Sequence, residues 1–384
     1  MFPTLGYLIS YIFGVNVSIG FPTFGLMVAI SFILAAYTLG REMKRRQGLG
    51  QLNRVFIKET IGKPATNSEL ISNALIGFIF GYKIIYVLLK GGAFLANPQV
   101  FLLNTEGSFI GGAALAALFA YAKYREKEKA KLPEPKVVER EMDSSELVGT
   151  ITMIAAISGI LGAKIFHNLE YPSDFMKDPI GALLSVSGLT FYGGLIGGAA
   201  AVMTYAYRKG LNPIVIADCA APGLMLAYAT GRIGCMLSGD GDWGIVNTAP
   251  MPEMIAWLPD WMWAFNFPNN VAGEGIPIEG CAGPYCSVLP LPVYPTPFYE
   301  TMVGLAIFAL LWSIRKKLNA PGLMFSVYLI FNGIERFSIE QIRVNATIPF
   351  LGMEVTQAQI ISTCLVLIGI VGVFLSRRYA PKKE

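Results

Sequence analysis

Long apolar runs separated by short polar segments make up most of this chain. About 20 consecutive apolar residues form a helix long enough to cross the hydrocarbon core of a bilayer. The pattern therefore predicts an all-α polytopic membrane protein with about nine transmembrane helices. We expect these helices near residues 21–40, 70–90, 108–124, 146–166, 190–208, 214–236, 298–315, 321–341 and 355–376.

Positive charge is confined to the loops on one side of this predicted bundle. Clusters of Lys and Arg follow the odd-numbered spans, whereas residues 239–297 contain neither residue type. Because positive loops stay in the cytoplasm, the N-terminus and the loop 245–297 should lie outside and the C-terminus inside. The clusters are Arg41, Lys44, Arg45 and Arg46; Lys123, Arg125, Lys127, Lys129 and Lys131; Arg208 and Lys209; Arg315, Lys316 and Lys317; Arg377, Arg378, Lys382 and Lys383.

The composition argues against two broad classes of protein. With 54% hydrophobic and 15% charged residues, the chain is too apolar for a soluble domain, and its net charge of +4 gives no sign of nucleic-acid binding. Cys281 and Cys286 lie close together in an outward loop, which favours a disulfide, with free thiols as the alternative. The other three cysteines fall in apolar stretches and suit packing, and no metal site is expected.

Two stretches of the chain resemble each other at a nearly fixed offset. Ser68-Glu69-Leu70, Gly81-Tyr82-Lys83-Ile84, Asn97-Pro98, Leu102-Leu103 and Ser108-Phe109-Ile110-Gly111-Gly112 recur downstream. The second copies are Ser145-Glu146-Leu147, Gly162-Ala163-Lys164-Ile165, Asp178-Pro179, Leu183-Leu184 and Thr190-Phe191-Tyr192-Gly193-Gly194. We interpret this as a tandem duplication of a helical hairpin; chance similarity among apolar stretches is the alternative.

The spans, the repeat and the charged loops together predict seven segments. They are an interfacial N-terminal segment (1–20), the first transmembrane helix with a basic cytoplasmic loop (21–67), an additional hairpin that is repeat copy 1 (68–126), a solvated cytoplasmic linker (127–145), repeat copy 2 with the sixth span (146–244), an extracytoplasmic head loop (245–297), and the C-terminal transmembrane helices with a basic tail (298–384).

Arg232 ends the sixth predicted span within a run rich in glycine and carboxylates, residues 231–244. Glycine lets a backbone approach a bulky ligand, and a guanidinium offers a rigid fork of donors to a phosphate. The run therefore favours a lipid-phosphate site. The alternative is an interfacial arginine that reaches outward and pairs with Asp240 or Asp242.

The eighth predicted span supplies a second polar group of residues. Arg336, Glu340 and Arg343 follow i, i+4, i+7 spacing and should share one helix face, with Glu335 beside them. A polar pocket is one interpretation, and an intrahelical ladder of salt bridges is the other. His167, the single histidine, suits proton transfer or a helix end. The 239–242 turn could also bind a divalent cation, but it lacks further ligands.

Four blocks of this sequence resemble the prolipoprotein diacylglyceryl transferase family. Residues 231–244 are similar to its signature G-R-x-G-N-F-x-N-G-E-x-x-G, and residues 189–197 to M-S-F-H-G-G-L-I-G. Residues 294–300 resemble H-P-S-Q-L-Y-E, and residues 336–343 resemble R-F-x-x-E-x-x-R. Weaker matches are Asp218 with Pro222, and Phe24-Gly25-Leu26-Met27 for Y-G-L-M.

The resemblance implies a bacterial inner-membrane enzyme that moves a diacylglyceryl group from phosphatidylglycerol to the lipobox cysteine of a preprolipoprotein signal peptide, without a cofactor. A non-catalytic lipid-binding or transporter-like protein on the same scaffold is the alternative. The implied catalytic residues are Arg232, Arg336, Asp240 and Tyr192. The implied substrate-binding residues are Gly193, Gly194, Gly231, Gly234, Ser238, Asp242, Tyr299, Glu300, Glu340 and Arg343.

The sequence also departs from the family pattern at several positions. Tyr192 replaces a histidine proposed as the catalytic base, Cys235 and Ser238 replace two asparagines, and Asp240 replaces a glutamate. Pro22 also replaces a histidine of the first span. Asp240 or Tyr192 would then accept the thiol proton, with His167 as an outside candidate. Because the family is expected to have seven spans, the chain is a divergent member in which repeat copy 1 is an added hairpin.

Overall fold

A computed structural model describes residues 1–15, 17, 19–96, 98, 101, 104–185, 188, 190–281, 283–350 and 352–378. Several positions named above lie outside the described residues. These are Asn97, Leu102, Leu103, Leu189, Lys382 and Lys383.

Helices form at all the predicted apolar runs. The long helices are α2 (Thr23–Gly48), α3 (Asn67–Leu89), α5 (Phe109–Lys129), α6 (Val148–Glu170), α9 (Phe191–Arg208), α10 (Pro213–Ser238), α11 (Thr296–Ile314), α12 (Leu323–Ile339) and α13 (Gln357–Arg378). Short helices are α1 (Leu5–Phe13), α4 (Gly91–Ala96), α7 (Pro172–Lys177) and α8 (Pro179–Leu184).

Six helices in the described part of the chain are long and apolar enough to cross a membrane, which makes this a multi-pass membrane protein. They are Thr23–Gly48, Asn67–Leu89, Ser144–Glu170, Pro213–Ser238, Thr296–Ile314 and Gln357–Arg378. The runs at α5, α9 and α12 are helical as expected, but they do not meet the same criterion of length and apolarity. Nine spans therefore stay a prediction.

In the part of the chain that the structure describes, three two-stranded antiparallel sheets qualify the expectation of a purely helical protein. They pair β1 (Val55–Ile61) with β2 (Lys136–Met142), β3 (Ile276–Pro277) with β4 (Ser287–Val288), and β5 (Thr347–Phe350) with β6 (Met353–Thr356). The first sheet joins the loop after α2 to the linker 127–145, so that linker is partly a strand. Lys58 and Glu139 face each other across it, with Nζ 3.1 Å from Oε1. Cross-strand pairs of this kind stabilise a ribbon that helix periodicity does not reveal.

The two predicted repeat copies share their internal contacts. In the first copy, a Cβ added to Gly81 of α3 would lie 2.2 Å from the Gly111 carbonyl oxygen of α5. In the second copy, a Cβ added to Gly162 of α6 would lie 2.4 Å from the Gly193 carbonyl oxygen of α9. Glycine thus brings each pair of helices into backbone contact, as is common in membranes. One lysine in each copy donates to loop carbonyls: Lys83 to Asn104 (2.6 Å) and Lys164 to Ser185 (2.8 Å). These shared contacts support the duplication.

Helix α10 is the centre of the bundle and packs against α2, α11 and α12. Its buried residues are mostly small or unbranched, including Ala221, Met225 and Ala229, each 0% exposed. At Gly239 the helix ends in a left-handed conformation with φ 65°. Such a terminus favours glycine, because a side chain there is strained. The chain then turns into the head loop directly beyond Arg232.

A buried group of charges joins the predicted cytoplasmic ends of α2 and α10. Arg46 Nη2 lies 3.5 Å from Asp218 Oδ2, and Arg46 Nε lies 3.5 Å from Glu42 Oε1. All three residues are at most 1% exposed. Asp218 also accepts bonds from the backbone amides of Gly322 and Phe325, both 2.8 Å, at the start of α12. This cluster fixes three helices at the end opposite Arg232.

The head loop 245–297 has its own small core beside the end of α10. Trp243, Phe267, Leu289 and Val293 are each 8% exposed or less and form one cluster. The predicted disulfide joins Cys281 to Cys286.

Candidate active site

Glu300 is the centre of a charged cluster that three helices and one loop build together. It lies in the second turn of α11, at 0% exposure. Arg232 Nε approaches Glu300 Oε2 at 3.2 Å, Arg336 Nη1 approaches Oε1 at 3.3 Å, and Arg343 Nη1 approaches Oε2 at 3.5 Å. A buried carboxylate is costly unless it is paired. Glu300 therefore serves as the shared counter-ion of three guanidinium groups.

Asp242 bridges two of the same arginines from the loop after α10. Its carboxylate forms ion pairs with Arg232 through Oδ2 and with Arg343 through Oδ1. Burial alone would raise the pKa of this carboxyl, but the guanidinium charges of Arg232 and Arg343 lower it below its usual range. The Asp242 side chain is 34% exposed, whereas Glu300 is fully buried. Asp242 is thus the accessible partner of the cluster.

Asp240, which the sequence placed in a catalytic role, makes no ion pair with these arginines among the described residues. It lies next to Cys235 and Asp242. Burial, followed by the negative charge of Asp242, raises the pKa of the Asp240 carboxyl above its ordinary value. The structure brings together the arginines and Asp242, while the role of Asp240 as a base stays a prediction.

The expectation that Arg336, Glu340 and Arg343 share one helix face is wrong in its geometry. Helix α12 ends at Ile339, a single 3₁₀ turn covers Glu340–Ile342, and Arg343 is extended with φ −89° and ψ 154°. Arg336 Nη2 still pairs with Glu340 Oε2 at 2.8 Å, one helical turn apart. Arg343 reaches the cluster because the chain leaves the helix and turns back toward Asp242.

Hydrogen bonds hold the loop after α10 against the chain after α12 and against the start of α11, so that Asp242 faces Arg343. The amide of Ile245 donates to the carbonyl of Ile342 at 2.8 Å, and the Thr296 hydroxyl donates to the carbonyl of Asp242 at 2.6 Å. A Cβ added to Gly244 would lie 2.5 Å from the Ile342 oxygen. Real Cβ contacts are longer, so only glycine permits this close approach.

Tyr228 was not predicted to belong to the site, and Glu335 was predicted only to lie beside the helix face of Arg336, Glu340 and Arg343. The Tyr228 hydroxyl donates to Glu300 Oε1 at 2.9 Å and has Glu335 Oε1 as a second acceptor at 3.2 Å. The Arg232 guanidinium also lies over the Tyr228 ring, 5.5 Å from its centroid. The signal for Tyr228 was its position four residues before Arg232, which puts both side chains on one helix face.

The remaining predicted residues fall into two groups. Tyr192 is half-buried and within electrostatic reach of Arg336 and Glu340, and the Tyr299 hydroxyl donates to the carbonyl of Met262 at 2.8 Å. The others contact neighbouring helices or their own. Gly193 and Gly194 face α6, and Gly234 faces Phe24 and Met27 of α2. A Cβ added to Gly231 would lie 4.0 Å from Ser31 Oγ, and Ser238 donates to the Cys235 carbonyl within α10. Their role in substrate binding stays a prediction.

Two further candidates lie outside the cluster. His167 packs on Tyr171, with ring centroids 5.0 Å apart, and among the described residues no contact joins it to the arginines. The donor atoms of Cys235, Asp240 and Asp242 lie within 4.8 Å of one another, a spacing that a metal ion could use. The two guanidinium groups paired with Asp242 would repel such a cation.

An apolar groove of about 440 Å³ runs between α11 and α12 beside the cluster. Its lining is aliphatic and aromatic apart from Glu335, Ser338 and the Tyr299 hydroxyl. The lining residues are Tyr299, Val303, Ile307, Phe331, Ile334, Glu335, Ser338 and Ile339. The site therefore combines cationic groups with an adjacent apolar channel.

Comparison with known proteins places this arrangement in a family. The model of prolipoprotein diacylglyceryl transferase matches residues 134–375. A phosphatidylglycerol–prolipoprotein diacylglyceryl transferase of Streptococcus uberis is 32% identical over 243 residues, which cover 62% of this chain and 82% of that protein. One from Dehalococcoides mccartyi is 30% identical over 243 residues, covering 63% of this chain and 80% of that protein. The matched region begins after helix α5 and contains the whole arginine cluster, so this chain belongs to the prolipoprotein diacylglyceryl transferase family.

Proposed function

We propose that this chain transfers a diacylglyceryl group from phosphatidylglycerol to the cysteine thiol of prolipoproteins and releases glycerol phosphate. The observation that carries the proposal is the convergence of Arg232, Arg336 and Arg343 on one buried carboxylate. Family membership supports the same reaction, since the relatives carry it in their names.

The charge balance of the cluster indicates how a lipid phosphate binds. Three guanidinium groups face three paired carboxylates, those of Glu300, Glu340 and Asp242. A phosphate anion added to these groups would give the cluster a net negative charge, unless one carboxylate leaves its ion pairs with the arginines. Asp242 is the most exposed of the three and already spans Arg232 and Arg343, as a phosphate would. We infer that the phosphate of phosphatidylglycerol displaces Asp242 and takes its place.

The reaction is then a displacement at the glyceryl carbon. The cysteine sulfur forms a bond to that carbon, the bond from carbon to phosphate oxygen breaks, and its electron pair stays on the departing glycerol phosphate. The developing negative charge falls on an oxygen held by arginines, which stabilise it without reorganisation. Guanidinium charge near the thiol also favours its ionised form. Arg232 and Arg336 are the proposed catalytic arginines, and Asp240 and Tyr192 are the sequence's candidates for the base.

The groove between α11 and α12 offers a place for an acyl chain. Its wall is formed by side chains such as Val303, Ile307 and Phe331, and it includes Glu335, the neighbour of Arg336 in sequence. A lipid whose phosphate is bound by the arginines would direct its glyceryl carbon and one acyl chain into this channel. The same geometry suits a lipid-binding protein without transferase activity, so the product of the reaction must be measured.

We also propose a nine-span topology in the bacterial inner membrane, with the N-terminus and residues 245–297 outside and the C-terminus in the cytoplasm. The basic residues at the ends of α2, α5, α9 and α13 support this orientation. It places the arginine cluster at the outer face, where an exported cysteine would arrive. To test this orientation, Glu274 and Arg377 are replaced by cysteine one at a time, and intact cells are treated with a thiol reagent that does not cross the membrane. Only the cysteine at position 274 should react.

The activity test combines purified protein, phosphatidylglycerol vesicles and a lipobox peptide, with the thioether product detected by mass spectrometry. Arg232→Ala and Arg336→Ala should each lower kcat/KM by about 100-fold or more, as loss of a charge-stabilising group does. Arg54→Ala is the matched control, since Arg54 is an exposed arginine near the β1–β2 ribbon. Binding of phosphatidylglycerol that requires Arg232, without any product, would favour the non-catalytic alternative.

A further inference from the structure

Glu335 is a buried acid whose second carboxylate oxygen is unused. The residue is 6% exposed, and its Oε1 is an acceptor for the Tyr228 hydroxyl at 3.2 Å. Among the described residues, its Oε2 has no hydrogen-bond partner. An unpaired buried acceptor costs about 1–3 kcal/mol, so its presence calls for a partner that arrives with the substrate.

Glu335 makes no ion pair with the arginines of the cluster among the described residues. Glu335 lines the channel between α11 and α12, together with Tyr299 and Ser338. Its neighbour in sequence, Arg336, pairs instead with Glu300 and Glu340. The Tyr228 hydroxyl lies between the carboxylates of Glu300 and Glu335, with its oxygen within hydrogen-bond distance of both. Glu335 therefore lies at the boundary where the proposed phosphate site meets the proposed acyl-chain channel.

That boundary is where the displacement needs a proton acceptor. The leaving phosphate oxygen is on the arginine side, and a nucleophile attacks the carbon from the opposite side. For a phosphate bound by Arg232 and Arg343, we place the opposite side of the glyceryl carbon toward the channel. Glu335 is the one carboxylic acid among the residues that line this channel.

We propose that Glu335 accepts the proton of the attacking cysteine thiol, an inference that rests on the proposed transferase function. The S–H proton passes to Glu335 Oε2 as the sulfur electron pair forms the carbon–sulfur bond. The carbon–oxygen bond breaks at the same time, and glycerol phosphate departs with that electron pair. Glu335 then returns its proton to solvent after product leaves. The acid thus takes over the task that a histidine is expected to perform where Tyr192 stands.

The other candidates are less suited to this task. Tyr192 is a phenol, whose reference pKa of about 10 makes it a poor proton acceptor at neutral pH unless it is already ionised. Asp240 shares its surroundings with Cys235 and Asp242 and is not among the residues that line the channel. His167 has no described contact with the cluster.

The charges that surround Glu335 come from several elements. Glu300 and Tyr299 face it from α11, Tyr228 and Arg232 from α10, and Arg336 and Tyr328 from its own helix. Helix α13, which also packs against α12, carries one titratable side chain before its basic end, Cys364. Two guanidinium groups and one carboxylate are thus the charged neighbours of Glu335.

The test compares Glu335→Gln with the parent protein on two acceptor peptides, one with cysteine and one with selenocysteine. A selenol is largely ionised at neutral pH, so it needs no base. We expect Glu335→Gln to lose about 100-fold or more in kcat/KM with the thiol peptide at pH 7, the usual contribution of a general base. With the selenol peptide the loss should be less than about fivefold, and the thiol reaction of the variant should recover as pH approaches the thiol pKa of about 8.5.

Two results would overturn the assignment. Equal losses on both peptides would mean that Glu335 supports structure or lipid binding, and near-parental rates on both would mean that another group takes the proton. Glu335→Asp should retain more thiol activity than Glu335→Gln, which provides a second folded variant. Glu354→Gln, an exposed acid of strand β6, is the matched control. Parental protein that makes no product with either peptide would instead refute the proposed function itself.

Discussion

Replacing Glu300 by glutamine removes one charge from the centre of the arginine cluster while it keeps the side chain's shape. Three guanidinium nitrogens lie 3.2, 3.3 and 3.5 Å from the Glu300 carboxylate. At such separations each pair contributes about 5 kcal/mol of Coulomb attraction at an effective dielectric constant of about 20, before the cost of desolvation. Removing one partner of a buried ion pair typically costs about 3–5 kcal/mol, because the other charge stays buried without it.

We therefore expect Glu300→Gln to lower the free energy of unfolding by about 3–5 kcal/mol, a large share of a typical total of about 5–15 kcal/mol. Thermal unfolding in detergent, followed by tryptophan fluorescence, would measure the change. Activity of the folded fraction should also fall, because Arg232, Arg336 and Arg343 lose their common anchor. Glu354→Gln, at an exposed acid, should change stability by less than about 0.5 kcal/mol.

The reasoning would be refuted if Glu300→Gln destabilised the protein by less than about 1 kcal/mol. Asp242 would then supply enough negative charge for the arginines without Glu300. Glu300→Asp separates charge from length: it keeps the carboxylate, so it should cost less than Glu300→Gln if charge is what matters. A greater cost for the aspartate variant would show that contact geometry dominates.

Three further changes test other parts of the structure. Gly244→Ala should lower kcat/KM at least tenfold and destabilise the fold by about 1–3 kcal/mol, because the new Cβ would lie 2.5 Å from the Ile342 oxygen. Gly149→Ala is the control: a Cβ at Gly149 would have no atom within 4 Å, so activity and stability should both stay unchanged. Arg46→Ala should cost about 3–5 kcal/mol in thermal unfolding and leave KM unchanged, since Arg46 is 0% exposed and lies at the opposite end of the bundle. In the unfolded chain the pKa of Asp242 is about 4, and in the folded protein the arginines lower it. The ion pairs of Asp242 should therefore stabilise the fold above about pH 4, and this stabilisation should be lost as pH falls through the lower pKa of the folded protein. Unfolding of Asp242→Asn between pH 2 and 5 should therefore depend less on pH than that of the parent.

The predicted helices agree with the structure because apolar run length is a local property of the chain. Residues 214–236 were predicted to be a span, and α10 covers Pro213–Ser238. Arg232 and Arg336 could be recognised in the same way, since an arginine in an apolar helix is expensive without a partner. The tandem duplication stays a prediction, which rests on lysine and glycine positions that recur at a nearly fixed spacing.

What the sequence could not provide was the pairing of those residues. Arg343 is 43 residues from Glu300 and 101 residues from Asp242, so their contacts depend on how α10, α11 and the end of α12 meet. The expected helix face at Arg343 failed because α12 stops at Ile339. Residue spacing alone cannot show that a helix ends at Ile339, because the i, i+4, i+7 spacing continues to Arg343.

The sequence by itself determined a multi-pass membrane protein, the positions of its apolar helices and the residue types of the proposed phosphate-binding site. Only the tertiary structure decided that Asp242 rather than Asp240 bridges the arginines, that Glu300 is their common counter-ion, and that Glu335 lines the groove with one buried oxygen that has no hydrogen-bond partner among the described residues. The physical reason is that burial makes each charge depend on its nearest partner, and those partners come from distant parts of the chain.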